Sequence, residues 1–285
     1  MMLGLRVDVD TLFGLSRGVP RLLALLEDLD LKATFFVPMG PDRMGRSVKR
    51  IVKERGLGVS LAPYLRIYPW QTFLAGTVVD TPGFSNAGAR MMLRIRGSGH
   101  DVGIHSYDHF NWQNGVTQFS RADLAADFTK CTLSYARVFG ELPACCAAPG
   151  WRATRFSLSI QEGFGFDYAS DTRGTGPFYP AFENRSLRTL QIPVTLPTVD
   201  ELILQGKDSL DLPGSGAHVY CAHAEVEGLS RLEWFRSLLV CALEKGFSVV
   251  SLSTLADLFS DAPRCGVAEG RVRGRSSTVA LQVTP

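Results

Sequence analysis

The sequence predicts an α/β fold in which about eight parallel strands and their helices curl into one closed or nearly closed barrel. Three observations predict it. Short β-rich runs that end in polar residues alternate with longer stretches of helical periodicity, the pattern of βα units on a parallel sheet. The chain is 285 residues long and 45% hydrophobic, enough for one barrel-sized core. No polar linker divides it, and no internal repeat is present.

Strands are expected near 3–9, 33–37, 101–105, 144–148, 166–170, 189–194, 218–223 and 247–251. The first of them, "GLRVDVDT", is an apolar run interrupted by Asp8 and Asp10. "GVPRLLALLEDLD" repeats leucine at helical spacing, Leu22, Leu25, Leu26 and Leu29, after a Pro20 suited to a first helical turn. Ser120 is the expected N-cap of the helical stretch that closes at Gly140. A further helix is expected from about Leu229 to Gly246.

The barrel is assigned to residues 1–262, and two stretches break its rhythm. Residues 57–79 contain one charge, Arg66, together with Pro63, Pro69, Gly76 and the aromatics Tyr64, Tyr68, Trp70 and Phe73. Length alone would admit a membrane span, but two prolines and a central arginine argue against a helix in lipid. Three readings fit this aromatic insertion of about 57–80: a surface lying on a bilayer, a lid over an active site, or a packed surface loop. Residues 263–285 carry Arg264, Arg271, Arg273 and Arg275 against Glu269. They are expected to form a basic, flexible tail, solvated or drawn to an anionic membrane surface.

Thirty basic and 28 acidic side chains leave a net charge of +2, which argues against a general nucleic-acid-binding surface. The N-terminus meets acid after seven residues and has no apolar signal region, so a cytoplasmic protein is expected. Cys131, Cys145, Cys146, Cys221, Cys241 and Cys265 form no CxxC pair and read as reduced core thiols.

The chemistry sits at expected strand ends. Asp8 and Asp10 share one face of their strand while Val7 and Val9 share the other, and two like charges side by side call for a cation or a proton between them. "HDVGIHSYDHFNW" places His105 and His109 four apart, a spacing that lets two imidazoles reach one ion on a helix face or around a turn. His100 lies at the opposite end of that strand and is set aside. "VYCAHAEVEG" ends an apolar strand at His223, on the face of Cys221. "APGWRAT" and "YASDTRG" place Arg152 and Asp171 just past two more strands, where the two can pair. Together these groups read as metal-assisted hydrolysis of an amide or ester. Asp10, His105 and His109 are the expected ligands, Asp8 the general base and His223 the general acid.

These residues resemble the pattern of the polysaccharide deacetylases, the NodB-homology family also called carbohydrate esterase family 4. The resemblance implies a distorted (β/α) barrel of about seven to eight strands. It also implies the same roles for Asp8, Asp10, His105, His109 and His223, and adds Arg152 as the group orienting the base, with Asp171 its partner. Val9 separates two aspartates that the family usually writes adjacent, and Thr154 stands where its arginine motif commonly has proline.

A narrower resemblance rests on "LRVDVDT", "RGVPRLL", "GPDRMGR", "GIHSYDH", "GWRA", "SDTRG", "QIPVTLPT" and "HAEVEG" and reaches to about residue 262. It is to the branch that removes formate from a formamido-arabinose sugar carried on undecaprenyl phosphate. This implies a peripheral enzyme at the cytoplasmic face of the inner membrane, serving the lipid A modification that weakens binding of polymyxin and other cationic peptides. The divalent ion implied is Zn²⁺ first, with Mn²⁺, Co²⁺, Ni²⁺ and Fe²⁺ open to the same ligands. The competing readings are a deacetylase of another N-acylated sugar on the same fold and, further away, a binding module without activity.

Overall fold

The computed structural model describes residues 1–46, 81–183, 185–275 and 277–283. The aromatic insertion expected at 57–80 lies outside the described residues.

All eight expected strands form. They are β1 (Met2–Asp8), β2 (Thr34–Val37), β3 (Asp101–Ile104), β4 (Cys145–Cys146), β5 (Tyr168–Ala169), β8 (Leu190–Gln191), β9 (Ala217–His223) and β10 (Ser248–Val250). Every pairing among them is parallel. β1 is the hub: β9 runs along its whole length, from Met2 opposite Ala217 to Asp8 opposite His223. Its other edge takes β10 at Met2–Gly4 and β2 at Arg6–Asp8. The seven-strand path β9-β1-β2-β3-β4-β5-β8 curls into a half-barrel, and the backbone N–H groups of Thr195 and Leu196 donate to the Val219 carbonyl of β9.

The period of two sorts β1 between two cores. Leu3, Leu5, Val7 and Val9 are wholly buried against a helix layer that includes Leu22 and Leu26 of the helix Val19–Asp28. Gly4, Arg6 and Asp8 face the barrel interior with Phe36, Trp151, Val219 and Cys221. The helix of Leu252–Leu258 plugs that interior from below, where a Cβ on Gly4 would stand 2.4 Å from Leu255 Cδ1. Ser120 caps Arg121–Phe139 through a capping box with Asp123, and Gly140 ends it in the left-handed conformation, φ 76°. The six cysteines are free and five are buried, consistent with core thiols. No helix among the described residues is long and apolar enough to cross a membrane.

The C-terminal segment corrects an expectation. β11 (Arg264–Gly270) and β12 (Val279–Val283) form an antiparallel hairpin, and β11 pairs in parallel with β6 (Tyr179–Phe182), whose partner is β7 (Arg185–Ser186). The hairpin is also stitched to the barrel, because Arg173 N donates to Ala280 O and Gln282 N to Arg173 O. Val279 and Ala280 are buried. The arginines, serines and glycines argued for a loose tail; the alternation in "TVALQV" and an edge strand some 85 residues earlier fold it instead.

His100 sits below the sheet, buried, with Nδ1 accepting from Ala33 N–H at 3.2 Å. Burial, helped by Lys32, pushes its pKa down to about 4. The unfolded chain then takes up a proton from about pH 6.5 downward that the folded chain refuses until near pH 4, so this part of the stability is lost as pH falls through that window. Between pH 7 and 4 the stability of wild type relative to His100→Asn is expected to fall by about 2–3 kcal/mol, read from urea denaturation at each pH. A difference that stays constant with pH would refute the assignment.

Candidate active site

The site opens at the C-terminal ends of β1, β3 and β9. On β1, Arg6 and Asp8 point inward together. Arg6 donates to both carboxylate oxygens of Asp8, Nε to Oδ1 at 2.6 Å and Nη2 to Oδ2 at 2.7 Å. Arg6 Nη1 donates to the Ser170 carbonyl and, at 3.0 Å, to Ser170 Oγ. Its guanidinium lies 5.1 Å from the Phe36 ring centroid and 5.3 Å from that of Trp151. Both ions are buried, so the pair offsets two desolvation costs at once. Burial raises the Asp8 pKa, but the Arg6 charge, His105 and the Arg6 hydrogen bonds outweigh it and hold the group below the usual carboxylate range.

Asp10 stands two residues beyond the end of β1. Its Oδ1 lies 3.1 Å from His109 Nε2 and 3.6 Å from His105 Nε2. His105 follows β3 directly, and Ser106 then turns with φ 62°. The Asp108 side chain caps the helix His109–Gly115 by accepting from Asn111 N, so the two imidazoles meet around a turn, ring centroids 5.1 Å apart. His105 Nδ1–H donates to the Ala147 carbonyl at 2.8 Å, which places the ring's lone pair on Nε2. That buried Nε2 has no hydrogen-bond partner and lies 3.6 Å from both Asp8 Oδ2 and Asp10 Oδ1. Burial pushes the His105 pKa down to about 4, which keeps the ring neutral as a ligand must be. One donor atom each from Asp10, His105 and His109 falls within 4.8 Å of the others, and this gathering of lone pairs suits a divalent cation.

His223 ends β9 opposite Asp8. Its ring meets Trp151 edge-on, centroids 6.5 Å apart, and its Nδ1 lies 4.0 Å from Asp200 Oδ1. Thr198 Oγ1 holds that oxygen. Burial alone would lower the His223 pKa, but Asp200, Asp10, Glu227 and Asp8 outweigh it and push it up to about 9.

The structure gathers Asp8, Asp10, His105, His109 and His223 but not the expected Arg152–Asp171 pair. Arg6, rather than Arg152, grips Asp8. Arg152 is half-buried, its carbonyl accepting from Trp112 Nε1 at 2.8 Å. Asp171 is bound by Gln191, whose Nε2 donates to Oδ2 at 2.9 Å, and burial pushes its pKa up. Arg6 was within reach of sequence reasoning, because the period that unites Asp8 and Asp10 also includes it. Asp200 was not, since nothing in local spacing links the helix Val199–Leu204 to β9.

Residues 5–169 match the family model for polysaccharide deacetylase, and the chain belongs to that family as an amide-hydrolysing enzyme. Over 266 residues it is 35% identical to a Shewanella sediminis protein named "Probable 4-deoxy-4-formamido-L-arabinose-phosphoundecaprenol deformylase ArnD", covering 89% of this chain and 85% of the relative. A protein of the same name from Wigglesworthia glossinidia brevipalpis is 30% identical over 287 residues, 94% of this chain and 98% of the relative. Among solved structures, a Mycobacterium smegmatis protein named for polysaccharide deacetylase superposes with a TM-score of 0.62 at 18% identity, covering 95% of this chain and 94% of its own. That likeness supports the fold.

Proposed function

We propose that the protein hydrolyses the formamide of 4-deoxy-4-formamido-L-arabinose carried on undecaprenyl phosphate, releasing formate and the free amino sugar. The observation that carries this reading is similarity to two proteins named for that reaction across most of the chain, with every acid, base and ligand position occupied. The setting is the cytoplasmic face of the inner membrane, with peripheral contact to the lipid that bears the substrate. The step belongs to lipid A aminoarabinose modification, where the product's positive charge lowers affinity for cationic peptides such as polymyxin.

Asp10, His105 and His109 would hold a divalent ion, Zn²⁺ or one of Mn²⁺, Co²⁺, Ni²⁺ and Fe²⁺, which polarises the formyl carbonyl and acidifies water when bound. Asp8, kept ionised and aimed by Arg6, takes the proton of the attacking water as its oxygen bonds to the formyl carbon. His223 gives its Nε2 proton to the sugar nitrogen as the C–N bond breaks, and Asp200 behind Nδ1 stabilises the imidazolium beforehand. Trp151 and the buried strand ends keep bulk water from the two ions.

The purified protein with Zn²⁺ or Mn²⁺ should release formate from the formamido lipid at least ~10-fold faster than acetate from its acetamido analogue, since one methyl group in a fitted pocket carries about that much discrimination. Equal or reversed rates would support a deacetylase of another N-acylated sugar instead. His223→Gln is expected to lower kcat by about 10²–10³ with metal content unchanged, measured by elemental analysis beside the rate. Loss of metal in that variant would move His223 from acid to ligand.

A further inference from the structure

Glu225 is wholly buried and has no role in the reaction above. A buried carboxylate is tolerated when it is hydrogen-bonded, and its partners show what it holds. Oε1 accepts from Thr11 N at 2.8 Å and from Thr11 Oγ1 at 2.7 Å. Thr11 follows Asp10 directly, and its Oγ1 accepts in turn from Gly14 N at 2.9 Å.

Gly14–Gly18 is a π-helical turn, a rare geometry that is frequent at functional sites. Here it accommodates the loop after β9. A Cβ on Gly14 would lie 2.0 Å from Glu225 Oε1, and one on Gly18 would lie 1.9 Å from the Ala224 carbonyl oxygen. A Cβ on Gly228 would meet the same carbonyl at 2.4 Å and Gly18 Cα at 2.7 Å. The two loops fit backbone on backbone. Ala224 N also donates to Asp8 O at 2.9 Å, so the segment that begins at His223 is fastened on both sides of Asp10, to the end of β1 and to the turn that follows it.

We propose that Glu225 is a positioning residue for the metal centre. By gripping Thr11 it fixes the Asp10 carboxylate toward His105 and His109 and ties it to the strand end that carries His223. Asp10 needs such an anchor because it lies beyond β1, where the sheet ladder no longer dictates its direction. The second oxygen, Glu225 Oε2, is buried without a hydrogen-bond partner, as is His109 Nδ1. Glu225 acts on the ligand set through Thr11, the neighbour of Asp10, and outer contacts of this kind orient metal ligands.

The inference rests on the reading of Asp10, His105 and His109 as metal ligands. It is tested by titrating Zn²⁺ into the metal-free full chain against a chelating indicator. Glu225→Ala should weaken Zn²⁺ binding about 10- to 100-fold. Thr11→Val, which keeps the glutamate, should weaken it in the same direction, and the double variant no more than Glu225→Ala alone. Glu225→Gln, whose amide oxygen can still accept both Thr11 bonds, should stay within about 3-fold of wild type. His100→Asn controls for destabilisation elsewhere and should bind Zn²⁺ as wild type does. Wild-type affinity in both Glu225→Ala and Thr11→Val overturns the proposal; should Glu225→Ala fail to fold, Thr11→Val decides alone. If wild type itself binds no Zn²⁺, the metal reading falls first and this proposal with it.

Discussion

Asp8→Asn is expected to lower kcat about 10³-fold while metal uptake stays at the wild-type stoichiometry. Asparagine keeps the shape of the side chain but has no site for the water's proton. The three expected ligands are other residues, so the ion site survives. One amide N–H must now face the Arg6 guanidinium, whose buried charge is left without its carboxylate, so a stability cost of about 3–5 kcal/mol accompanies the loss. Single-turnover formate release and elemental analysis on one sample separate the two roles. Asp10→Asn should show the opposite order, with metal lost first and rate lost as a result. If Asp8→Asn kept kcat within 10-fold, Asp8 would not be the base.

Arg6→Met is expected to destabilise the fold by about 3–5 kcal/mol and to move the acid limb of kcat/KM upward in pH. The cause is the carboxylate left behind. Burial raises the Asp8 pKa and Arg6 is the largest influence holding it down, so without the guanidinium Asp8 keeps its proton to higher pH and the base is lost from the acid side first. The cation is also clamped to Ser170 and flanked by Phe36 and Trp151, which its removal leaves unfilled. Arg6→Met combined with Asp8→Asn should recover part of the stability, because removing both charges spares the cost of an unpaired one. Urea denaturation of the four proteins gives the cycle, and the pH profile of Arg6→Met gives the shift. Arg152→Met is the informative contrast. If it shifts the pH profile and Arg6→Met does not, the sequence-based assignment of the orienting arginine returns.

Most of the site was legible because its residues sit where a local rule places them. A strand's period of two puts Asp8 and Asp10 on one face, and a parallel sheet displays strand ends on one side, which collects His105 and His223. The same rule set His100 aside, and it does lie at the other end of β3. The Arg152–Asp171 pairing failed for a different reason. Both follow strands, but Gln191 on a third strand satisfies Asp171, and no spacing within either motif reports that neighbour.

The C-terminal hairpin shows the same boundary from the other side. Composition argued against order, since arginine, glycine and serine bury little apolar surface. What folds it is a ladder to β6 and to Arg173, together with Arg275, whose guanidinium reaches Glu201 at 3.2 Å and lies 4.6 Å from the Trp151 ring centroid. Those partners are distant in the chain and close in space.

The strands and the faces of their side chains, the helix caps at Ser120 and Gly140, and the chemical kinds gathered at the strand ends can all be read from neighbouring residues. These are local properties, set by backbone periods and side-chain chemistry. That Arg6 rather than Arg152 holds Asp8, that Asp200 stands behind His223, and that Glu225 grips the turn after Asp10 are visible in the folded chain alone. Each of those depends on the register and curl of a parallel sheet. Parallel strands meet only through long crossovers, so their neighbours cannot be read from nearby residues.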